Sequence, residues 1–336
     1  MMVTTPPTSH RREPTLLDVC AGGGGLASGL ARAGFRPVLL LDSLAQACDT
    51  LRLNQPNWQV LQQDLLEFDP AEHPECYDVD LLSAGLPRVK AVAAINRTRS
   101  DDNELSLLMA TVMLVHGVQP RALLLDNLVD LVTKDTYEPV RGFIEKELTH
   151  LGYQWRWFSL NAADFGVPQI RRQGFLVAMR GGLLERFRPP DPLPSDRRTT
   201  VGAALGKSMA ERGWPDADRW ARQADAVAPT LVGGSMDRGG ADLGPSGTKR
   251  AWARMGVYAG SLGDVVPGPD FAWNPGRGKD GMVRLTVEQT AILQGFPINW
   301  QFAGRKTMRY RQIGHATPPP VARALGHAIR EAVTEY

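Results

Sequence analysis

Thr15-Leu16-Leu17-Asp18-Val19-Cys20-Ala21-Gly22-Gly23-Gly24-Gly25 decides the fold. A short apolar run breaks into a glycine cluster, and an amphipathic segment follows with Leu26, Leu30 and Ala33 at helical spacing. The unit repeats outward. Pro37-Val38-Leu39-Leu40-Leu41-Asp42 reads as a second buried strand and Leu44 to Asn54 as a second helix. Val79 to Ser83, Ala122 to Asp126 and Phe175 to Met179 are further apolar runs, with helical segments at Leu105 to Val118 and Val140 to Leu151. Strands alternating with helices imply a doubly wound, Rossmann-like α/β fold with a parallel sheet and helices on both faces. In such sheets ligands sit beyond the carboxyl ends of the strands, where the polar turns of this chain fall.

Composition bounds the reading. The 336 residues are 43% hydrophobic and 22% charged, ordinary values for a chain with a sizeable core. A formal net charge of +2 permits an anionic partner without requiring one. Three cysteines, Cys20, Cys48 and Cys76, lack metal-ligand spacing and suit a reducing cytoplasm, with no metal site expected. No apolar run approaches the roughly 18 residues of a membrane helix. Residues 1–14 are expected to be a disordered leader, residues 15–184 a large domain, and 185–305 a smaller loop-rich domain entered through Pro189-Pro190-Asp191-Pro192-Leu193-Pro194. Helical pattern returns at Thr286 to Leu293 and from Pro320 to Val333, so residues 306–336 are expected to return to the large domain.

Glycines after a first strand let a ligand approach the backbone, and the next helix offers free N–H groups. Asp42, at the end of the second strand, can accept from ribose hydroxyls, and Asp64, after Val60-Leu61-Gln62-Gln63, from an adenine amino group. A glycine turn alone also reads as a plain tight turn. The two carboxylates favour a nucleoside-bearing ligand, and the lack of Gly-x-Gly-x-x-Gly favours S-adenosylmethionine (SAM) over a dinucleotide.

Further motifs follow in order: Gly85-Leu86-Pro87-Arg88, Asp126-Asn127-Leu128 and Asn161-Ala162-Ala163-Asp164-Phe165-Gly166-Val167-Pro168-Gln169-Ile170-Arg171-Arg172-Gln173. Then come Arg284-Leu285-Thr286-Val287-Glu288, Gln294-Gly295-Phe296-Pro297 and Tyr310-Arg311-Gln312-Ile313-Gly314-His315-Ala316. Together with the glycine turn they resemble the motifs of the DNA cytosine-5 methyltransferases, from residue 15 to about 330. The resemblance implies SAM bound at Asp18, Ala21, Gly22, Gly24, Gly25, Asp42, Ser43, Asp64, Leu65, Gly85, Pro87, His315 and Ala316. It also implies duplex DNA contacted by Gln169, Arg238, Lys249 and Arg250, and a target-recognition role for the smaller domain. In that family the cytosine is flipped out of the duplex. A thiolate then attacks carbon 6, and a carboxylate and an arginine stabilise the charge that develops.

The chain departs from this pattern around the reacting centre. Arg88 stands where the nucleophilic cysteine belongs, and a guanidinium stays protonated and cannot attack. Asp126 replaces glutamate, one methylene shorter, where placement within roughly 0.5 Å matters. Gln173 replaces the second arginine of Gln-x-Arg-x-Arg, after Arg171, and His315 replaces an asparagine. Val89 to Asn96 is a glycine-poor, apolar continuation and so a less obvious lid. Arg88 either pairs with Asp126 in the vacated pocket or points into solvent. The three cysteines are expected to be structural.

The expected function is therefore a homologue that binds SAM and DNA as an accessory or regulatory module. Its partner would be an active methyltransferase or a restriction system. The alternative is an active SAM-dependent methyltransferase using non-thiol chemistry on another substrate. Thirteen of the basic residues between Arg171 and Arg311, among them Arg197, Arg198, Arg254 and Arg277, are expected to supply a DNA footprint, while Trp214, Trp220, Trp252, Trp273 and Trp300 are expected in the smaller domain's core.

Overall fold

A computed structural model describes residues 12–89, 99–234 and 240–334. Seven strands form one sheet in the order β3-β2-β1-β4-β5-β7-β6. They are β1 (Thr15–Val19), β2 (Arg36–Asp42), β3 (Val60–Gln62), β4 (Leu81–Gly85), β5 (Ala122–Asn127), β6 (Tyr153–Asn161) and β7 (Arg172–Arg180). The sheet reads as continuous apolar runs because both faces are covered. Leu16 and Leu17, Leu81 and Leu82, and Leu123 and Leu124 are each fully buried, pointing alternately into two clusters. Each such side chain contributes about 1.5–3 kcal/mol relative to exposure.

The expected parallel sheet needs one correction. β7 runs antiparallel between β5 and β6. Only residues 162–171 join β6 to β7, and a parallel return requires a crossover of a dozen or more residues. β1 lies between β2 and β4, so the chain reverses its direction of winding there. This switch point opens the crevice between the glycine turn after β1 and Gly85–Arg88 after β4.

The Gly- and Pro-rich stretch also carries three helices concealed by its composition, Val201–Ala210, Ala217–Gln223 and Ser246–Arg254. Gly202 reads as a loop residue but is a packing contact. A Cβ there would meet the Ala221 carbonyl at 1.9 Å. Trp214, Trp220, Trp252, Trp273 and Trp300 all lie in one buried cluster, as expected, and Tyr310 and Ile313 join them. The helix Pro319–Val333 instead packs its apolar face with Leu26 and Leu30 of helix α1 (Gly25–Arg32) on the sheet's other cluster. No helix among the described residues is long and apolar enough to cross a membrane. Most of the leader, residues 90–96 of the proposed lid, and Arg238 lie outside the described residues.

Candidate active site and cofactor cleft

The turn after β1 places Cys20, Gly22 and Gly24 in the left-handed region, at φ 53°, 53° and 83°. Its glycines have different tasks. A Cβ at Gly22 would meet nothing within 4 Å, so that position faces open space. At Gly24 a Cβ would lie 2.7 Å from Leu51 and 2.8 Å from Trp300, and at Gly25 it would lie 2.3 Å from the Thr317 carbonyl. Gly24 and Gly25 therefore admit neighbouring segments, and Gly22 is left for a ligand.

Asp42 holds the turn. Its Oδ2 accepts from the Gly22 N–H at 2.7 Å and its Oδ1 from the Leu44 N–H at 2.9 Å. Ala21, buried beside it, donates its N–H to the Leu41 carbonyl. Ser43 is exposed. Asp64 caps a short turn, accepting from the Leu66 N–H at 2.9 Å, while Leu65 is buried in the main core. Asp18 is fully buried. Its Oδ1 accepts from the Ser83 hydroxyl, and its Oδ2 has no partner among the described residues. Burial pushes the Asp18 carboxyl up to about 7, the Ser83 bond opposes this, and Asp42 adds to it. Burial likewise raises the Cys20 thiol, and Asp42, Asp18 and Asp64 raise it further, so the three carboxylates converge on this turn. Cys20, Ala21, Gly22, Gly85, His315 and Ala316 contribute to the walls of one cleft, which Thr317 also lines.

Next to the cleft lie the residues of the expected reacting centre. Asn127 staples the turn that carries Arg88. Its Nδ2 donates to the Pro87 carbonyl at 3.1 Å, and its Oδ1 accepts from the Val89 N–H at 3.3 Å and the Leu128 N–H at 2.9 Å. Asp126 is buried, and Gln173 Nε2 donates to its Oδ2 at 2.5 Å. The Thr317 hydroxyl donates to the same oxygen, whereas Oδ1 has no partner among the described residues. Burial pushes Asp126 up to about 6, against the Thr317 bond and then the Arg171 charge. Arg171 is buried, with Nη1 donating to the Leu231 carbonyl at 3.0 Å and Nε without a partner among the described residues. Burial, and then the nearby Arg88 charge, lower it to about 9.

The expected Arg88–Asp126 ion pair is not formed among the described residues. Arg88 is exposed, and Asp126 takes Gln173 and Thr317 instead. The shorter aspartate is withdrawn into the scaffold, where two uncharged donors meet its oxygen without desolvating a guanidinium.

The other expected site residues are dispersed. Gln169 is fully buried, and its amide is used within the protein. Nε2 donates to Gln294 Oε1 at 2.7 Å and the Leu293 carbonyl at 3.3 Å, and Oε1 accepts from the Leu231 N–H at 2.8 Å. It joins the β6–β7 loop to the second cluster and presents nothing to solvent. Lys249 pairs with Asp242 at 3.0 Å, while Arg250 is exposed on the same helix. His315 is exposed, with Nε2 3.0 Å from the Gly234 carbonyl, and Pro87 is exposed beside Arg88. Cys48 and Cys76 are fully buried. Sequence reasoning missed Thr317, which carried no local signal, and the second task of Trp300, whose indole N–H donates to the Gly23 carbonyl at 3.1 Å.

The chain belongs to the C-5 cytosine-specific DNA methylase family, whose model matches residues 15–331. It is 40% identical over 322 residues to the Type II methyltransferase M.NaeI of Lentzea aerocolonigenes, covering 95% of this chain and 75% of that protein. It is 37% identical over 325 residues to the Type II methyltransferase M.NgoMIV of Neisseria gonorrhoeae, covering 95% and 98%. Among solved structures, a DNMT2 variant of Spodoptera frugiperda matches with a TM-score of 0.64 at 15% identity, covering 94% of this chain and 99% of the other. The Entamoeba histolytica methyltransferase EhMeth matches with a TM-score of 0.63 at 12% identity, covering 97% and 100%. At these identities the structural likeness bears on the fold, which is the Rossmann-like α/β fold expected from the sequence.

Proposed function

We propose that this chain binds SAM and duplex DNA as an accessory or regulatory member of its family and does not run the thiolate mechanism. One observation carries the reading: the turn after β4, stapled by Asn127, presents Arg88 beside Asp126, and no thiol stands there. Cys48 and Cys76 are fully buried elsewhere, and Cys20 belongs to the glycine turn with its thiol raised by burial and three carboxylates. The relatives above are named methyltransferases, so the loss of activity rests on this chain's own residues.

The cleft suits the cofactor. Gly22 is open, Asp18 Oδ2 is a buried acceptor without a partner, and three carboxylates suit a ligand carrying a sulfonium and an ammonium. Asp42 would hold ribose hydroxyls while keeping the turn closed, Asp64 would accept from the adenine amino group, and Gly85 and His315 would wall the cleft. When bound, SAM would supply an electrophilic methyl group. On the DNA side, residues 185–305 would form the target-recognition module. Arg250, exposed on its helix, would contact a phosphate, and Arg238 joins it by resemblance alone.

A calorimetric SAM titration combined with labelled-methyl transfer to duplex DNA tests the reading. Saturable SAM binding without transfer is expected. Adding Arg88→Cys and Asp126→Glu together should then permit transfer. Methyl transfer to DNA by the unaltered chain alone would overturn the proposal. Labelling of a non-DNA acceptor would favour non-thiol chemistry instead.

A further inference from the structure

We propose that Thr317 is a specificity-determining residue of the cofactor cleft. Its hydroxyl, with the proton given to Asp126, offers the ligand only an acceptor and selects the cationic sulfonium of SAM over the neutral thioether of S-adenosylhomocysteine. This rests on the reading that the cleft takes SAM, and it assigns the choice between the two forms of the cofactor to one side chain.

Two contacts put Asp126 at one end of the cleft. Thr317 lines the cleft and donates to Asp126 Oδ2. Gly85 lines it as well and is the register partner of Asp126 across β4 and β5. The backbone around Thr317 is held from two sides. Its carbonyl lies against Gly25, where a Cβ would come within 2.3 Å, and the adjacent Ala316 carbonyl accepts from Gln294 Nε2 at 2.6 Å. Thr317 is thus buried in a fixed place between the glycine turn and the end of β5.

An ionised carboxylate can only accept, so the Thr317 hydroxyl points its proton at Asp126 and keeps its oxygen lone pairs for the ligand. Two other polar side chains on the wall are already engaged. Gln312 Oε1 accepts from the Thr50 hydroxyl at 2.7 Å and its Nε2 donates to the Ala303 carbonyl at 2.9 Å, while His315 Nε2 meets the Gly234 carbonyl at 3.0 Å. Arg311 also lines the cleft and suits the ligand's carboxylate, which both forms of the cofactor share. Both donors to Asp126 are uncharged, Gln173 being the other, so no ion pair among the described residues cancels its charge. The hydroxyl is polarised by that charge and passes part of it to the cleft. A sulfonium at this end gains from it, and a thioether does not.

The test titrates the full chain calorimetrically with SAM and with S-adenosylhomocysteine at pH 7.5, above the value of about 6 to which Asp126 is pushed. Thr317→Val should weaken SAM about tenfold and S-adenosylhomocysteine less than about twofold. The retained binding of the thioether also reports an intact cleft. Thr317→Ser, which keeps the hydroxyl, should hold the wild-type ratio of the two affinities. Asp126→Asn should lower that ratio as Thr317→Val does, and the double variant should lower it no further, because the two residues act as one unit. An equal loss for both ligands in Thr317→Val would reduce the residue to packing and overturn the proposal. A wild-type ratio in Asp126→Asn, or a ratio in Thr317→Ser as low as in Thr317→Val, would overturn it too. Wild type that binds neither ligand would instead strike the cofactor reading, and this assignment would fall with it.

Discussion

Gln173 donates to Asp126 Oδ2 at 2.5 Å, a neutral amide on an aspartate where the family resemblance implies an arginine near a glutamate. With Thr317 on the same oxygen, both donors meet one edge of the carboxylate, and the other oxygen is buried without a partner among the described residues.

Thr317→Val should expose the role of that hydroxyl. The substitution keeps the shape, removes a donor from a buried carboxylate, and should cost about 1–3 kcal/mol in urea denaturation at pH 7.5. At pH 5, below the value of about 6 to which Asp126 is pushed, the carboxyl is protonated and the loss should shrink. A loss of equal size at both pH values would assign Thr317 to packing alone.

Asp18 should impose a pH dependence on stability. Its folded value of about 7 lies above the roughly 3.9 of an unfolded carboxyl, so folding favours the protonated form. That contribution is fully present below about pH 4 and is lost as pH rises through 7, on the order of 4 kcal/mol. Asp18→Asn should therefore gain stability relative to wild type at pH 8 but not at pH 4. It should also weaken SAM binding by removing an anionic acceptor. Parallel melting curves for the two proteins across this range would contradict the assignment.

Gly22→Ala and Gly25→Ala should separate ligand space from packing space. Gly22 needs only its positive φ of 53°, so alanine costs about 1–2 kcal/mol and obstructs the cleft. At Gly25 the new Cβ would collide with the Thr317 carbonyl at 2.3 Å, and overpacking of this kind costs about 1–3 kcal/mol or more. The first variant should lose SAM binding while remaining folded by circular dichroism. The second should lose stability first.

Trp300→Phe should leave the Gly23 carbonyl without its donor at 3.1 Å while keeping most of the ring contact with Phe296. A loss of about 1 kcal/mol in stability and a severalfold loss in SAM affinity are expected. Stability loss with unchanged SAM affinity would show that the indole acts only in the second cluster.

Much of the sheet was legible because its strands are locally distinctive. β1, β2, β4, β5 and β7 are apolar on both faces and end at glycines or polar turns. β6 was not legible. Trp155 and Trp157 pack on one face and Phe158 and Leu160 on the other, so neither alternation nor a continuous apolar run appears in Tyr153–Asn161. The helices at 201–210 and 246–254 were hidden by glycines. Of these, Gly202 serves a helix crossing that no local pattern announces.

By itself the sequence determined the strands apart from β6, the glycine turn, the positions of Asp18, Asp42 and Asp126, and the presence of Arg88 in place of a thiol. These depend on local periodicity and residue identity. Only the tertiary structure decided that Asp126 would meet Thr317, 191 residues away, and that Trp300 would reach Gly23, 277 residues away. It also decided that Arg88 would be exposed, without an ion pair to Asp126 among the described residues. Such contacts arise where strand ends and returning segments converge. They follow from sheet order and the competition of several donors for one buried carboxylate, neither of which is a property of any short stretch of chain.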